Sequence, residues 1–328
     1  MLFEDDRSKT AENTTPQGSS GKSSSVYRRG IKPIVINGRD DIYSLAFLVD
    51  GKHVVGGGEE GKIQRWRVED GEEVGMPMDA ENVICSLAVS RDGRWIVSGT
   101  ESGLVTVWNA ESGEKVTEFT GHNDWVYAVD VSPNETRIAT GSNDGTACVW
   151  SLSTGQRLFS SWDHNGWVVA VKISPDGCLI ASNSVRVYNG ENDCPLVDVP
   201  IQVKKPLAWA SDAKRLFALS YGHIHCLDAS TGTTLSKWPI HNTQDAECIA
   251  LASNGTFITA STSSSVSFWD TTTREQIGSV IKFTRRVWCI VISGNNDLAV
   301  GGDSRPSQSL RYPSLILLRH RKCTFMKS

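Results

Sequence analysis

The sequence lacks any run of about 18 consecutive apolar residues, so it predicts no membrane-spanning helix. It also lacks a sustained apolar repeat at helical spacing, which leaves an all-β fold as the expectation. The opening residues, MLFEDDRSK, are acidic and no apolar segment follows them, so they do not have the pattern of a secretory signal. We therefore expect an all-β protein of the cytoplasm, with the nucleus as the alternative compartment and no membrane partner.

An excess of one charge sign is also missing. The chain of 328 residues has 33 Lys and Arg against 37 Asp and Glu, a net charge of −4, which does not indicate a nucleic-acid partner. None of its 8 cysteines has Cys-x-x-Cys spacing, so the sequence predicts no zinc site. Cys85, Cys148, Cys248 and Cys289 fall within predicted strands, which favours reduced thiols that pack as small hydrophobic side chains.

Sequence motifs for catalysis and for cofactor binding are absent too. There is no Gly-x-Ser-x-Gly, no His-Glu-x-x-His and no calcium loop of the EF-hand type. Residues 17–23, QGSSGKS, end like a phosphate-binding loop, but Pro16 stands where that loop needs its first Gly and no apolar strand precedes it. We interpret this segment as a flexible linker within a disordered region, residues 1–30, and we predict no enzyme activity, cofactor or metal.

What the sequence does have is a repeated unit, and its clearest copy runs from Gly121 to Trp150. The copy reads as an alternating strand, a polar turn, a second strand, a tight Asn-Asp-Gly turn and a third strand. Related units follow one another at a spacing of about 40 residues, which is typical of propeller blades. The third strands of six units end near Trp66, Trp108, Trp150, Tyr188, Leu227 and Trp269.

The clearest copy resembles the WD40 repeat family. The shared features are Gly121-His122, Ser132-Pro133, Asp144 in the second turn, and Trp150, although Ser151 follows where the family has Asp. The resemblance covers about residues 31–303 and implies a WD40-type β-propeller. It also implies a buried hydrogen-bond network within this blade, formed by His122, Asp144, Thr140 or Ser142, and Trp150. The same His and Asp pair leaves hydrolase chemistry open as an alternative.

The ends of the array decide whether the ring closes. Residues 31–37 form an apolar strand before the first unit, and such a strand closes a ring by pairing with the last blade. The seventh unit is degenerate: its third strand is either residues 315–318 or missing, with about the last 25 residues outside the blade. We predict seven blades over residues 31–318, closed by the N-terminal strand, and a solvated basic tail at 319–328.

The resemblance also indicates where partners bind. In the family, the start of each first strand lies on the top face, around the mouth of the central channel. Trp, Tyr and Arg side chains there are typical of binding hot spots, and an acidic sector lies beside them. The candidate partner-binding residues are Trp125, Tyr127, Trp167, Tyr43, Trp288, Arg286, Asp41, Glu59, Glu101 and Asn143.

Three functional hypotheses follow. The first is a non-catalytic scaffold that binds other proteins or peptides, as a monomeric propeller within a complex. The second is the recognition domain of a signalling NTPase, separated from its nucleotide domain, because similar arrays occur in such proteins. The third is a hydrolase built on a propeller, and a turnover screen would distinguish it from the first. The sequence does not identify the partner.

Overall fold

A computed structural model of the chain describes residues 34–36, 41–159, 161–183, 185–192, 194–199, 205–220, 222–240, 247–283, 285–303 and 315–318. The predicted terminal segments, 1–30 and 319–328, and the phosphate-loop-like residues 17–23 lie outside this part of the chain. Within it, no helix is long and apolar enough to cross a membrane.

The regular structure of the described residues consists of short strands. The first fourteen are β1 (Ile34–Ile36), β2 (Ile42–Phe47), β3 (His53–Gly58), β4 (Lys62–Arg67), β5 (Met78–Asp79), β6 (Ile84–Val89), β7 (Trp95–Thr100), β8 (Leu104–Asn109), β9 (Lys115–Thr120), β10 (Val126–Val131), β11 (Arg137–Ser142), β12 (Thr146–Ser151), β13 (Trp162–Asp163) and β14 (Val171–Ile173). The others are β15 (Leu179–Ser182), β16 (Arg186–Asn189), β17 (Pro195–Asp198), β18 (Lys205–Trp209), β19 (Arg215–Ser220), β20 (His223–Asp228), β21 (Thr234–Pro239), β22 (Cys248–Leu251), β23 (Phe257–Thr262), β24 (Ser265–Asp270), β25 (Ile281–Lys282), β26 (Val287–Ile292), β27 (Leu298–Gly302) and β28 (Leu315–Leu318).

These strands form seven four-stranded antiparallel sheets, which we number as blades 1 to 7 from β2 onward. In blades 1 to 6 four consecutive strands pair in order, from β2–β5 to β22–β25. The first strands, β2, β6, β10, β14, β18, β22 and β26, each contact the next, and β26 contacts β2. The predicted all-β propeller is therefore confirmed, and its first strands form a closed ring.

Blade 7 contains both ends of the array. Its order is β26-β27-β28-β1, with Ile34 opposite Leu317 and Ile36 opposite Leu315. The predicted closure by the N-terminal strand is confirmed, and residues 315–318 supply the third strand. The alternative, in which these residues lie outside the blade, is wrong. Pairing in this way covers the edge that β28 would otherwise expose.

The core lies between neighbouring sheets. Val97 and Val107 of blade 2 pack with Val129 and Ile138 of blade 3, for example, and all four are buried. Because the sheet of blade 2 is covered on both faces, its second and third strands are buried at nearly every position, including the polar Ser98, Thr100 and Thr106. This is why the sequence shows strands without a strict alternation of apolar and polar residues.

The fourth blade has a short turn between its second and third strands. Strands β15 and β16 pair from Leu179 opposite Asn189 to Ser182 opposite Arg186, which leaves three residues between them. The six residues at which the units were predicted to end all lie in third strands, from Trp66 in β4 to Trp269 in β24.

Candidate functional site

Blade 3 contains a buried hydrogen-bond network that joins its strands. Trp150 Nε1 donates to Thr140 Oγ1 at 2.8 Å, and the same hydroxyl lies 2.7 Å from His122 Nε2. His122 Nδ1 lies 3.0 Å from Asp144 Oδ2. Thr140 is fully buried, and His122 is only 6% exposed. The network therefore consists of His122, Asp144, Thr140 and Trp150, and Thr140 supplies the hydroxyl group.

Ser142 lies beside this network and stabilises the neighbouring turn. Its Oγ donates to the carbonyl of Asp124 at 3.0 Å and accepts from the Asp144 N–H at 3.1 Å. The sequence left Thr140 and Ser142 as alternatives for the hydroxyl group of the network. Ser142 instead anchors the loop before β10.

Protonation in this network follows from burial and hydrogen bonding. Burial lowers the pKa of His122, although the nearby Asp144 carboxylate opposes this shift. Burial alone would raise the pKa of Asp144, but hydrogen bonds from Thr146 and from the Asn123 N–H lower it below its usual value. A neutral His122 that donates from Nδ1 to Asp144 leaves Nε2 to accept from Thr140. Both ring nitrogens of His122 then have hydrogen-bond partners within the blade.

At the top face, a backbone hydrogen bond joins the residue that follows the second strand of a blade to the residue that precedes its first strand. Blade 4 has such a bond from Asn183 to Ala170 (3.1 Å), and in blades 1, 2, 3 and 7 the backbone N–H likewise donates to that residue's carbonyl group. These bonds are Glu59 to Asp41 (3.2 Å), Glu101 to Val83 (3.0 Å), Asn143 to Trp125 (2.8 Å) and Asp303 to Arg286 (3.2 Å). This backbone hydrogen bond, which we call the bridge, brings Glu59, Glu101 and Asn143 beside the starts of their first strands. Asp303 is the corresponding residue of blade 7, which sequence reasoning missed although it directly follows β27.

Blades 1, 2, 3 and 7 also have an irregularity at the second residue of the first strand. The pairing register shifts at this position, around Tyr43, Cys85, Tyr127 and Trp288. A bulge of this kind changes the direction of its side chain relative to a regular strand. Three of the four bulged residues are aromatic, and all three are candidates from the sequence.

On blades 3 and 4 the aromatic side chains lie in a row, which we call the aromatic strip: Trp125, Tyr127 and Trp167. The ring centroids of Trp125 and Tyr127 are 5.8 Å apart, and those of Tyr127 and Trp167 are 6.4 Å apart. Trp125 is 39% exposed and Trp167 is 63% exposed. The two tryptophans therefore present apolar surface to solvent, and Tyr127 connects them.

The loop around Trp125 is held in place by polar contacts. Asp124 accepts one hydrogen bond from the Trp125 N–H at 2.8 Å and another from Asn143 Nδ2 at 2.7 Å. On the next blade, Asn183 Nδ2 donates to the Trp167 carbonyl at 2.7 Å. Asp124 was not among the sequence candidates, although its place next to Trp125 is a signal that could have identified it.

On blades 7 and 1 two aromatic side chains pack together, and one of them already contacts a cation of this chain. Tyr43 and Trp288 meet edge to face with centroids 5.9 Å apart, and the Arg286 guanidinium lies 4.2 Å above the Trp288 ring. The same guanidinium forms an ion pair with Glu247, and Trp288 Nε1 donates to Asp303. Arg286 therefore belongs to a local cluster, and Glu247 is a member that the sequence did not indicate.

One predicted acidic surface residue is buried instead. Asp41 is only 6% exposed, whereas Glu59 is exposed and Glu101 is partly buried. The end of β3 closes over Asp41 so tightly that a Cβ atom on Gly58 would lie 1.8 Å from the Asp41 carbonyl oxygen. Asp41 is thus a structural residue, and the prediction that it adds an exposed carboxylate is wrong.

Acidic side chains influence the ionisable groups near the aromatic strip. Burial and then the negative charge of Glu101 raise the pKa of Cys85 to about 12. Burial, then Cys85 and Asp124, raise the pKa of Tyr127. Both groups remain protonated at neutral pH, so neither adds a charge to this part of the top face. Within the described residues, no three His, Cys, Asp or Glu side chains lie close enough together to hold a metal ion.

The ring of four-stranded sheets defines a β-propeller protein. The model of the family described as WD domain, G-beta repeat matches residues 78–109 and 113–151. These residues contain β5 to β8 and β9 to β12, including the blade with the complete network. This part of the chain therefore carries WD40 repeats, as its resemblance to that family predicts, and WD40 propellers generally serve as scaffolds for protein interactions.

Solved structures agree with this fold. The crystal structure of the RRP9 WD40 repeats superposes with a TM-score of 0.74 at 16% identity, covering 88% of this chain and 99% of that one. The structure of U3-55K gives a TM-score of 0.74 at 16% identity, covering 88% of this chain and 97% of that one. At this identity the likeness shows the fold alone. No curated protein sequence matches the chain.

Proposed function

We propose that this chain is a non-catalytic scaffold that binds a protein or peptide through the aromatic strip on its top face. The observation that carries this proposal is the exposure of Trp125 and Trp167, 39% and 63%, on either side of Tyr127. Tryptophan provides much of the binding energy at protein interfaces because it buries a large area when a partner covers it. Neither tryptophan belongs to the buried clusters of blades 3 and 4, which supports a role in binding.

The hydrolase alternative is disfavoured by the surroundings of His122. A general base needs one ring nitrogen within reach of a substrate, whereas His122 is buried and both of its nitrogens have partners in the blade. The hydroxyl group beside it, on Thr140, already accepts the indole N–H of Trp150. This His and Asp pair therefore serves the fold.

We further propose that the protein is a monomeric propeller in a larger complex, in the cytoplasm or the nucleus. Closure of the ring through β1 and β28 satisfies the last blade without a second copy. The exposed Cys178 and Cys194 are free thiols, which suits a reducing compartment.

Affinity capture with mass spectrometry, from the cells that produce the protein, tests the scaffold function. We compare the wild type with the double variant Trp125→Ala/Trp167→Ala. We expect a set of partner proteins to be lost together, because the variant removes most of the exposed apolar area of the strip.

The matched control is Val116→Ala/Leu235→Ala, which truncates two exposed apolar side chains on the outer strands β9 and β21. Its list of captured proteins should equal that of the wild type. Identical lists for the wild type and the tryptophan variant, with both proteins folded by circular dichroism, would move the interface away from the top face.

A further inference from the structure

The two aromatic groups of the top face differ in whether a cation of the chain covers them. The Trp288 ring has the Arg286 guanidinium 4.2 Å from its centroid, and the Glu247 carboxylate binds that guanidinium. Within the described residues, no Lys or Arg of the chain lies over Trp125 or Trp167. The aromatic strip thus has exposed rings without a covering cation of the kind that Arg286 provides for Trp288.

Two carboxylates, those of Asp124 and Glu101, lie on the blades of the aromatic strip or on the blade before it. Asp124 is bound by two uncharged donors, the Trp125 N–H and Asn143 Nδ2, and Glu101 lies at the equivalent of Asn143 in blade 2. In the described part of the chain, neither carboxylate forms an ion pair with Lys or Arg. The negative charge of Asp124 reaches the strip, since it contributes to the raised pKa of Tyr127, and Glu101 acts on Cys85 beside that tyrosine. Exposed rings and uncompensated carboxylates together favour a cationic ligand.

We propose that the aromatic strip binds an arginine side chain presented by a segment of the partner protein. This inference rests on the proposed scaffold function and specifies the chemistry of its partner. A guanidinium is planar and weakly hydrated, so it stacks on an indole ring while its N–H groups bind a carboxylate. Arg286, Trp288 and Glu247 show this combination inside the same ring. A lysine ammonium is more strongly hydrated and cannot stack in this way.

A displayed library of random peptides, selected against the full chain, tests this proposal without a known partner. Selected peptides are then synthesised in three forms, with arginine, with lysine and with citrulline at the enriched position. Citrulline keeps the planar shape of arginine and removes its charge. We expect arginine to be enriched, citrulline to weaken binding at least about tenfold, and lysine about threefold.

Protein variants identify the groups that hold the arginine. We expect Asp124→Asn to weaken the arginine peptide by about three- to tenfold and to leave the citrulline peptide unchanged, because only the charge is removed. Trp167→Ala, at the most exposed position of the strip, should weaken both peptides. The matched control is Glu111→Gln, which removes an exposed carboxylate at the opposite end of the strands and should change neither.

The outcomes separate this inference from the proposed function. Peptides that need Trp125 and Trp167 but bind equally well with citrulline, or that contain no enriched arginine, overturn the arginine proposal and leave the scaffold function standing. Peptides that bind equally well to Trp125→Ala/Trp167→Ala contradict both. A library that yields no binder for the folded wild-type chain also counts against both.

Discussion

At the scale of single residues, one hydroxyl group on the second strand decides whether blades 1, 2 and 3 satisfy their buried tryptophan. Trp150 donates to Thr140 in blade 3, and Trp108 donates to Ser98 at 2.9 Å in blade 2. In blade 1 the corresponding residue is Gly56, and Trp66 Nε1 finds no partner among the described residues. A buried N–H without an acceptor costs about 1–3 kcal/mol, so blade 1 is less well satisfied than blades 2 and 3.

Substitution of this hydroxyl group should destabilise the protein strongly. Thr140→Val keeps the shape of the side chain but leaves both Trp150 Nε1 and His122 Nε2 without a partner in a buried site. We expect the free energy of unfolding to fall by about 2–4 kcal/mol, measured by urea denaturation. The control Thr120→Val, at an exposed position of β9, should unfold as the wild type does. Equal stability of the two variants would show that the network contributes little.

The residue scale also shows what a sequence pattern leaves open. The spacing of His122, Asp144 and Trp150 was sufficient to propose a network, but Thr140 and Ser142 lie two residues apart on the same face of β11 and are equivalent in the pattern. Only the distances assign Thr140 to His122 and Ser142 to the Asp124 carbonyl. Similarly, Asp41 and Glu59 are both acidic, and only the tertiary structure shows that the first is buried and the second exposed.

At the scale of elements, the top face is built by a bulge in the first strand and a bridge from the second. Four first strands bulge at equivalent positions, and in the same four blades the bridge fixes the residue before the strand. The bulged residues are thereby presented at the mouth of the ring. In blades 1 and 7 the bridge also requires glycine at the end of the second strand, because the backbones approach closely there.

Glycine at the end of β27 should therefore be intolerant of a side chain. In Gly302→Ala the new Cβ atom would lie 2.1 Å from the Arg286 carbonyl oxygen, so the bridge from Asp303 must open. We expect a loss of about 1–3 kcal/mol in the free energy of unfolding, measured by urea denaturation. Gly294→Ala is the control, since no heavy atom lies within 4 Å of its added Cβ atom. A Gly302→Ala variant as stable as this control would contradict the geometry.

At the scale of the whole molecule, the ring depends on a contact between its two ends. Strand β1 covers the edge of β28, and Ile36 packs in one buried cluster with Trp66 of blade 1 and Leu315 of blade 7. This contact joins parts of the chain that are separated by almost the full sequence. It supports both the hydrogen bonding of blade 7 and its packing against blade 1.

Removal of the closing strand should open the ring at this place. A variant that lacks residues 1–36 exposes the edge of β28 and the cluster around Trp66, so we expect a lower melting temperature and self-association. A variant that lacks residues 1–30 keeps β1 and serves as the control. Thermal melting and light scattering after size-exclusion chromatography measure both effects. Two monomeric deletion variants with equal melting temperatures would show that β1 is dispensable.

The sequence by itself determined the all-β character, the repeated unit and the closing strand. These features follow from local patterns: turn residues, strand spacing and the apolar segment 31–37, which has no partner strand within the first unit. Tertiary structure decided which aromatic side chains are exposed, that Arg286 is already bound by Glu247, and that Asp124 lies beside the strip without a cation. Those features depend on residues from different blades, and their proximity arises only when the ring closes.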